Sequence, residues 1–398
     1  MDALTTPLPK DWEVKTFRDI STINQGLQIP ISQRLKAPTE HAKFYITIQA
    51  LNNRKEFEYI KTYNESVVCH KDDILMTRTG NTGMVITNIE GVFHNNFFKI
   101  NFDRTLINKD FLVYFLSLEQ TQKTILKKAG TSTIPDLNHN DFYSLSIPLP
   151  PLNEQIAIAN ILSDVDHYLY SLDALILKKE SVKKALSFEL LSQRKRLKGF
   201  NQAWQRVRLG TYKYRRGSFP QPYGNPQWYS DNGMPFVQVY DVGENFKLNQ
   251  KTKQKISKIA QPMSVFVPKN SVIITLQGTI GRVALTQYDC YCDRTILIFD
   301  NNTLNDVNKY FFVLSLFTKF EEEKRKADGS IIKTITKQTL KDFEIPLPPL
   351  NEQIAIANIL SGLDNEIISL KNKKRQFENI KKALNHDLMS AKIRVLKQ

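Results

Sequence analysis

The sequence of 398 residues is poor in cysteine and has no long apolar run. A membrane-spanning helix needs about 18 or more consecutive apolar residues, and no such stretch occurs. The first residues, MDALTTPLPK, lack the apolar core of a secretory signal peptide. Cys69, Cys290 and Cys292 are too few for a disulfide framework, which favours a reducing compartment. We therefore expect a cytoplasmic protein, and its length predicts more than one domain.

Motifs for catalysis are missing as well. The sequence has no G-x-x-x-x-G-K-(S/T) phosphate loop. It also lacks the (N/D)PP(Y/F) tetrad with which adenine methyltransferases grip a base, because its Pro-Pro pairs are followed by Leu152 and Leu350. Glu322 and Lys324 have the Glu-x-Lys spacing of some nucleases, but they fall in a predicted helix and fit a solvated face. The pattern predicts a chain without catalytic residues.

Residues that could bind a metal are too few for a site. Cys290 and Cys292 flank one tyrosine, and Cys69 precedes His70, whereas a closed zinc site needs about four ligands. Cysteines of a core or a strand are the favoured interpretation. We therefore expect that this chain binds no metal and no cofactor of its own.

The charge of the chain is unbalanced, with 55 basic and 40 acidic residues and a net charge of +15. A strongly basic protein suggests a polyanionic partner such as DNA or RNA, although basic proteins without such a partner exist. Residues 199–346 carry 21 basic and 13 acidic side chains, whereas residues 1–150 carry 17 and 16. The basic excess therefore lies mostly in the second half of the chain.

A tandem duplication is the strongest feature of the sequence. IPLPPLNEQIAIANILSDVD at 147–166 recurs as IPLPPLNEQIAIANILSGLD at 345–364, with 18 of 20 positions identical at an offset of 198. The match continues without a gap to Arg196 and Arg394. The same offset aligns Thr77 with Thr275. A period this long does not fit a solenoid, so the chain is predicted to contain two large copies of one unit.

Each copy is predicted to hold a mixed α/β globule followed by a long helix. In the first globule, residues 43–51 and 97–102 have the composition of strands, and residues 108–129 that of a helix capped by Asn108. In the second, 235–242 is the matching strand and 307–327 the matching helix. The predicted boundaries are 1–150 and 199–346 for the globules, and 151–198 and 347–398 for the helices.

The two helical segments are predicted to pair as an antiparallel coiled coil. Asn153 and Asn351 follow the proline pairs and are candidate N-caps. Apolar residues recur at heptad spacing in both segments. They are Ile161, Val165, Leu169, Leu172, Ile176, Val182, Leu186 and Leu190, and Ile359, Leu363, Ile367, Leu370, Phe377, Ile380, Leu384 and Leu388. Helix one ends where globule two begins, so helix two must return along helix one to bury its apolar stripe. This predicts pseudo two-fold symmetry. The alternative is a helix laid on its own globule.

This layout resembles the specificity subunits of type I restriction–modification enzymes. The paired IPLPPLNEQ segments are its most specific mark, and the resemblance covers the whole chain. It implies two target-recognition domains, each reading one half of a bipartite double-stranded DNA target, with the helix pair setting their spacing. It also implies a complex with two adenine-methyltransferase subunits and optionally two restriction subunits. S-adenosylmethionine and ATP with Mg²⁺ would then be bound by those partners.

The resemblance further implies that the helical regions hold the methyltransferase subunits. The residues that match this part of the pattern are candidates for partner docking. They are Leu152, Asn153, Glu154, Gln155, Leu350, Asn351, Glu352 and Gln353.

Candidate DNA-contacting residues lie in turns rich in Arg, Asn, Gln and Gly. Arg suits guanine, Asn and Gln suit adenine, and Lys and Arg bind phosphates. The candidates are Gln25, Gln28, Arg34, Lys36, Arg78 and Asn81 in the first copy, and Lys213, Arg215, Arg216, Gln277, Thr279 and Arg282 in the second. The alternative for 78–83 and 277–282 is a structural hairpin whose glycines need positive backbone angles, and for 213–218 a solvated loop.

Two other functions stay open from the sequence. A coiled-coil scaffold whose globules bind proteins is favoured slightly by the nearly neutral first globule. A DNA enzyme with an unrecognised active site is the second. Selective duplex binding separates the reader from the scaffold, and activity of the isolated chain would indicate the enzyme.

Overall fold

The computed structural model describes residues 8–52, 57–243, 245–277, 281–326 and 337–395. Its contacts divide the chain into two compact units. Unit 1 comprises Met1–Ala174 and Lys371–Gln398, and unit 2 comprises Leu175–Leu370. Each unit therefore contains one globule, the first part of one long helix and the last part of the other. Within the described ranges, no helix is both long and apolar enough to cross a membrane.

The globule of unit 1 mixes short strands with helices. Its strands are β1 (Glu13–Thr16), β2 (Ser21–Gln25), β3 (Lys43–Ile46), β4 (Tyr59–Ile60), β5 (Val68–Cys69), β6 (Ile74–Thr77), β7 (Val85–Ile86), β8 (Gly91–Phe93), β9 (Phe97–Phe102) and β10 (Ser146–Leu149). Its helices are α1 (Phe17–Ile20), α2 (Ile48–Asn52), α3 (Lys109–Leu116), α4 (Glu119–Ala129) and α5 (His139–Tyr143), and the long helix α6 (Leu152–Leu191) follows. The strands form sheets of order β2-β9-β6-β7 and β4-β3-β8-β5, and β1 pairs with β10.

The globule of unit 2 repeats this plan. Its strands are β11 (Gln205–Arg208), β12 (Tyr214–Arg216), β13 (Tyr229–Val237), β14 (Gln254–Ile256), β15 (Val265–Val267), β16 (Val272–Thr275), β17 (Val283–Leu285), β18 (Cys290–Cys292), β19 (Ile296–Phe299) and β20 (Glu344–Leu347). Its helices are α7 (Lys309–Lys326) and α8 (Lys337–Asp342), and the long helix α9 (Leu350–Met389) follows. The sheets have the orders β12-β19-β16-β17 and β14-β13-β18-β15, and β11 pairs with β20.

The two strand orders correspond one to one. Strand β3 pairs in parallel with β8, and β13 pairs in parallel with β18, at the same place in the second sheet of each unit. A shared order that includes this parallel pair is what a duplicated fold requires. The predicted tandem duplication of a mixed α/β globule is therefore confirmed.

Local predictions were right in part. Asn108 caps α3, its side chain accepting a hydrogen bond from the backbone N–H of Phe111 at 3.0 Å. The predicted helix 108–129 is interrupted, however, because Leu118 adopts an extended backbone with ψ 134°. Gln122 donates to the freed carbonyl of Leu116 at 2.6 Å, which satisfies the end of α3. The equivalent helix of unit 2, α7, is continuous. It agrees with the helix predicted over 307–327 except at its ends.

Two predicted strands end earlier than expected. The strand predicted over 43–51 stops at Ile46, because the Thr47 hydroxyl accepts from the backbone N–H of Ala50 at 3.0 Å and starts α2. The strand predicted over 235–242 stops at Val237. There the Asp241 carboxylate accepts from the backbone N–H of Gln238 at 2.9 Å and closes a short 3₁₀ turn.

The long helices begin one residue before their predicted caps. Asn153 and Asn351 lie inside α6 and α9, so the N-cap prediction is wrong. Each helix instead starts from the carbonyl of the second proline: that of Pro151 accepts from the backbone N–H of Gln155 at 3.0 Å, and that of Pro349 accepts from the backbone N–H of Gln353 at 3.1 Å. The amide side chains of the same two glutamines hold the segment that precedes each helix. Gln155 donates to the carbonyl of Pro150 at 2.9 Å, and Gln353 donates to that of Pro348 at 2.8 Å.

Helical segments pair antiparallel within each unit, as predicted. In unit 1, Asp173 of α6 pairs with Lys374 of α9 at 2.7 Å, and Asp166 pairs with Lys381 at 2.5 Å. The residue numbers run in opposite directions, which defines the antiparallel sense. In unit 2 the equivalent ion pair joins Lys183 to Asp364.

Some residues of the predicted apolar seam lie outside it. Val182 is 45% exposed, Ile380 50% and Ile359 38%, whereas Leu172 and Ile367 are buried. Lys183 follows Val182, and Lys381 follows Ile380. Each lysine takes the inward position and pairs with an aspartate of the other helix, so the apolar side chain before it lies outside the seam.

One seam position differs in chemistry between the units. In unit 1, Phe377 packs on Tyr168 with ring centroids 4.6 Å apart. At the equivalent place in unit 2, Lys179 pairs with Glu366 at 2.7 Å. Lys179, which stands where Phe377 continues the heptad pattern in the other helix, thus has an acidic partner.

The end of each long helix completes a globule core. Leu388 and Met389 of α9 are buried in the core of unit 1 together with Phe111. Leu190 and Leu191 of α6 are buried in that of unit 2. Full burial of such a side chain contributes roughly 1.5–3 kcal/mol.

Candidate nucleic-acid interface and docking faces

The turn between β6 and β7 has the backbone of a structural hairpin. Gly80 and Gly83 have φ angles of +86° and +91°, which side chains other than glycine rarely adopt. The Arg78 guanidinium pairs with Asp136 at 2.7 Å and its side chain is 17% exposed. The structure therefore favours a structural role for Arg78. Asn81, at the tip of the same turn, is exposed.

The matching turn of unit 2 is described only in part. Gln277 is exposed, whereas Thr279 lies outside the described residues. Arg282 is partly buried, and its guanidinium donates to the carbonyl of Val242 at 3.1 Å. Among the described residues of this turn, Gln277 therefore has an exposed side chain that could form hydrogen bonds with a base.

Arg34 is held inside unit 1. Its guanidinium donates to the carbonyl of Ile29 at 2.8 and 2.9 Å and pairs with Glu58 at 2.9 Å, and its side chain is 17% exposed. The prediction that Arg34 contacts phosphate is therefore not supported by its geometry, because its donors are already used. Lys36 also pairs with Glu58, at 3.0 Å, but its side chain is 76% exposed.

Strands β2 and β12 each end at a turn that contains a glycine, Gly26 or Gly217. These glycine turns present polar side chains at equivalent positions. Gln25 stands opposite Phe98, and Arg216 stands opposite Leu297. Gln28 and Lys213 are exposed nearby. Because strand residues alternate between faces, Arg215 points away from Arg216, and it donates to the carbonyl of Phe266 at 3.1 Å. Arg216 is exposed, and within the described residues its guanidinium makes no ion pair.

The start of α6 carries a buried ion cluster. Glu154 is 2% exposed and accepts from the Trp12 indole at 3.1 Å and from Arg394 at 2.7 and 2.9 Å. Arg394 also pairs with Asp11 at 2.8 Å. A buried carboxylate needs such partners because its desolvation is costly.

The start of α9 repeats the cluster with one acid fewer. Glu352 is 1% exposed and accepts from the Trp204 indole at 3.0 Å and from Arg196 at 2.6 and 3.2 Å. Ala203 stands where unit 1 has Asp11. Both clusters join a globule, one helix start and the end of the other helix within a single unit.

Half-buried tyrosines complete this layer. The Tyr114 hydroxyl donates to Asp166 at 2.8 Å, and Tyr310 donates to Asp364 in the same way. Burial, followed by the hydrogen bond to the aspartate, raises the pKa of both tyrosines well above the usual range. Both phenols therefore stay protonated and act as donors.

The outer face of each helix start is exposed and has the same side chains in both units. In unit 1 it presents Asn153, Ile156 and Asn160, at the i, i+3 and i+7 spacing of one helix face. In unit 2 the same face presents Asn351, Ile354 and Asn358. Leu152, half-buried, and Leu350, exposed, lie beside these faces. We call them the helix-start faces.

Each of the two copies matches one family of proteins. The model of the type I restriction modification DNA specificity domain matches the chain twice, over residues 9–178 and 219–379. The chain belongs to this family. As a specificity subunit it is 27% identical, over 417 aligned positions, to a chain named as the type I restriction enzyme MjaX specificity subunit of Methanocaldococcus jannaschii. That alignment covers 98% of this chain and 95% of the relative.

Two further comparisons agree. The type I restriction enzyme MjaVIII specificity subunit of Methanocaldococcus jannaschii is 25% identical, over 98% of this chain and 94% of the relative. The fold is similar to that of the type I restriction–modification S subunit from M. genitalium, with a TM-score of 0.59 and 18% identity, over 96% of this chain and 98% of that one.

The specificity subunit supplies DNA sequence recognition and is the non-catalytic component of its system. The predicted family, function and non-catalytic role are therefore confirmed, and the scaffold alternative is not favoured. The three cysteines are buried, and burial raises the pKa of Cys69 to about 12, as suits core thiols. Over the described ranges, no group of three or more His, Cys, Asp or Glu side chains could hold a metal ion.

The predicted docking residues divide into two groups. Glu154, Gln155, Glu352 and Gln353 are buried at 1–2% exposure and bonded within their own units. Leu152, Asn153, Leu350 and Asn351 lie on or beside the helix-start faces. The sequence pattern did not distinguish them, since both groups are identical in the repeat.

Proposed function

We propose that this chain reads a bipartite DNA target, one half-site per globule, and that its helices space the two half-sites. The observation that carries the proposal is the pair of globules with one strand order and different turn chemistry. Gln25 in unit 1 and Arg216 in unit 2 occupy equivalent positions on equivalent strands of the two globules. Two readers of one fold with different polar side chains suit a target whose halves differ in sequence.

We propose further that two methyltransferase subunits dock on the helix-start faces. Exposed helix positions can differ between the two copies, as Asp164 and Gly362 do just beyond these faces. The identity of Ile156 and Ile354, which are 40% and 41% exposed, therefore calls for another cause. Binding the same partner twice explains why both units keep the same surface.

The cofactors belong to those partners in this proposal. S-adenosylmethionine would bind the methyltransferase subunits, and ATP with Mg²⁺ would serve restriction subunits, of which two could join the complex. Three buried, unpaired cysteines suit the reducing cytoplasm in which such a complex would work.

Charged substitutions on the helix-start faces should remove methyltransferase subunits one at a time. Ile156→Asp or Ile354→Asp should leave one docked subunit, and the double variant none, because an aspartate in an apolar contact loses its hydration without a partner. The mass of the purified complex, measured by native mass spectrometry, gives the number of subunits directly. Leu126→Asp is the matched control, since Leu126 is 45% exposed on α4 and is not part of these faces. Two subunits retained in the double variant would contradict the docking proposal.

Charge reversal at Arg215 and Arg216 should weaken binding to every duplex. If this strand contacts phosphates, each lost contact lowers the slope of log K against log salt by about 0.9. Titration of specific and random duplexes at several salt concentrations measures both quantities. Arg206→Glu, at an exposed arginine on β11, serves as the control for charge alone. Unchanged affinity and slope in the double variant would remove this strand from the DNA interface.

A further inference from the structure

The turn that enters β9 in unit 1 has a structural equivalent in unit 2. A Cβ atom on Gly26 would overlap the backbone carbonyls of Phe93 and His94. A Cβ atom on Gly217 would overlap those of Cys292 and Asp293 in the same way. The residues 93–96 and 292–295, which we call the entry turns, therefore correspond position by position. Asn95 and Arg294 occupy the same place in them.

Arg294 is presented by an entry turn that the Asp293 side chain holds together. The Asp293 carboxylate accepts from the backbone N–H of Arg294 at 2.7 Å, from the Thr295 hydroxyl at 2.8 Å and from the hydroxyl of Tyr223. The Arg294 guanidinium lies over the Tyr223 ring at 5.2 Å from its centroid. It is exposed, and within the described residues it makes no ion pair and no hydrogen bond. Its planar donor edge is therefore available to a ligand.

Asn95 is presented in the same way by different groups. Burial lowers the pKa of His94, so its neutral ring accepts at Nδ1 from the backbone N–H of Asn96 at 3.1 Å. The Asn95 backbone is held by Leu27, whose carbonyl accepts at 3.2 Å, and by Gln25, which donates at 3.3 Å.

The Asn95 side chain itself is only half satisfied. Its Nδ2 donates to Gln28 at 3.2 Å, while its Oδ1 has no hydrogen-bond partner among the described residues. Turning this amide toward a ligand would break one hydrogen bond near the surface and would give Oδ1 a partner. An unpaired acceptor favours such a change.

We propose that Asn95 and Arg294 are specificity-determining residues, each reading one base edge in the half-site of its own unit. The inference rests on the proposed function and deepens it. An asparagine amide matches the N6 and N7 edge of adenine, and a guanidinium matches the O6 and N7 edge of guanine. The backbone frame of the two entry turns is the same, so the exchange of amide for guanidinium changes the reading and leaves the fold unchanged.

The neighbouring residues support this placement. Gln25 and Arg216 immediately precede the glycines on which the entry turns pack. The entry turns therefore adjoin the glycine turns whose polar residues already pointed to DNA. Sequence-specific DNA-binding proteins combine phosphate contacts with base contacts. Here the strand end would supply the phosphate contacts, and the adjoining entry turn would supply one base contact.

The test is to map methylated motifs for the full chain with its methyltransferase subunits, in wild type and in Asn95→Ala, Arg294→Ala and Arg294→Lys. Each alanine variant should relax one base position in one half-site only, and the two variants should affect opposite half-sites. The expected loss of discrimination is roughly 5- to 150-fold at that position. Arg294→Lys should lose discrimination as well, because an ammonium cannot make the bidentate contact, while its salt slope stays that of wild type.

The outcomes separate this inference from the proposed function. A uniform loss of methylation at an unchanged motif in Arg294→Ala would mark a phosphate contact and overturn the inference. An unchanged motif in both alanine variants would overturn it too. A wild-type complex without any two-part motif would overturn the proposed function with it. Arg206→Ala, at an exposed arginine of the same unit, should keep the wild-type motif.

Discussion

Replacing Arg196 with alanine lowers the free energy of unfolding of unit 2 by about 3 kcal/mol, because it leaves a buried carboxylate without its charged partner. Glu352 is 1% exposed and accepts two ionic hydrogen bonds from Arg196, at 2.6 and 3.2 Å. The Trp204 indole would remain its neutral donor and cannot compensate a full charge. Urea denaturation followed by tryptophan fluorescence measures the change.

The matched control is Arg208→Ala in the same unit. Arg208 pairs with Glu344 at 3.2 Å, but the two side chains are 70% and 38% exposed. Exposed ion pairs contribute about 0–1 kcal/mol, so this variant should unfold close to wild type. Equal destabilisation by the two substitutions would contradict the assignment of the buried cluster as the link between α6, α9 and the second globule.

Removing one heptad from both long helices together should change the spacer of the DNA target and leave its half-sites unchanged. Residues 167–173 and 374–380 are the suitable segments, because they face each other. Their removal deletes both partners of the Tyr168–Phe377 contact and of the Asp173–Lys374 ion pair. Seven residues span about 10.5 Å of helix, which corresponds to roughly 3 base pairs. Methylated-motif mapping of the deletion variant with its methyltransferase subunits measures both the spacer and the half-sites.

Deleting only one of the two segments provides the control. It puts the Asp166–Lys381 pair and the Lys183–Asp364 pair out of register by one heptad, so the two ion pairs cannot form together. We expect no methylation from that variant. The proposal that the helices set the spacing would be contradicted if the double deletion kept the wild-type spacer, or if it changed the bases of a half-site.

The architecture could be predicted because the duplication is written in long identical segments. The 18 matches in 20 positions identify the two helix starts, and the heptads beyond them predict the antiparallel pairing. These features depend on local pattern and chain connectivity. The cap at Asn108 was predictable for the same reason, since a cap is set by residues three positions away.

The details that failed depend on contacts between distant residues. Asn153 looks like a cap, yet the helix already begins at Leu152, because the carbonyl of Pro151 accepts from the backbone N–H of Gln155 at 3.0 Å. Val182 and Ile380 fit the heptad, yet the following lysines take the inward positions because aspartates of the other helix face them. Sequence spacing along one helix cannot show which partner the other helix offers.

The candidate site was predictable by type of residue and much less by position. Arg34 and Arg78 have the right chemistry, but Glu58 and Asp136 occupy their guanidinium groups. Asn95 and Arg294 were missed because the offset between the copies is not constant. Gly26 and Gly217 are 191 residues apart, whereas Asn95 and Arg294 are 199 apart. The equivalence of Asn95 and Arg294 becomes visible only in the structure, where Gly26 and Gly217 pack on the backbone carbonyls of the two entry turns.

The most direct test of the account is to map methylated bases genome-wide in cells that produce this chain with its methyltransferase subunit, and in cells that produce the methyltransferase subunit alone. We expect a two-part motif, separated by a fixed unspecified spacer, that is methylated only when this chain is present. A methylation pattern that is the same with and without the chain, although the complex forms, would contradict its role as the reader of DNA sequence.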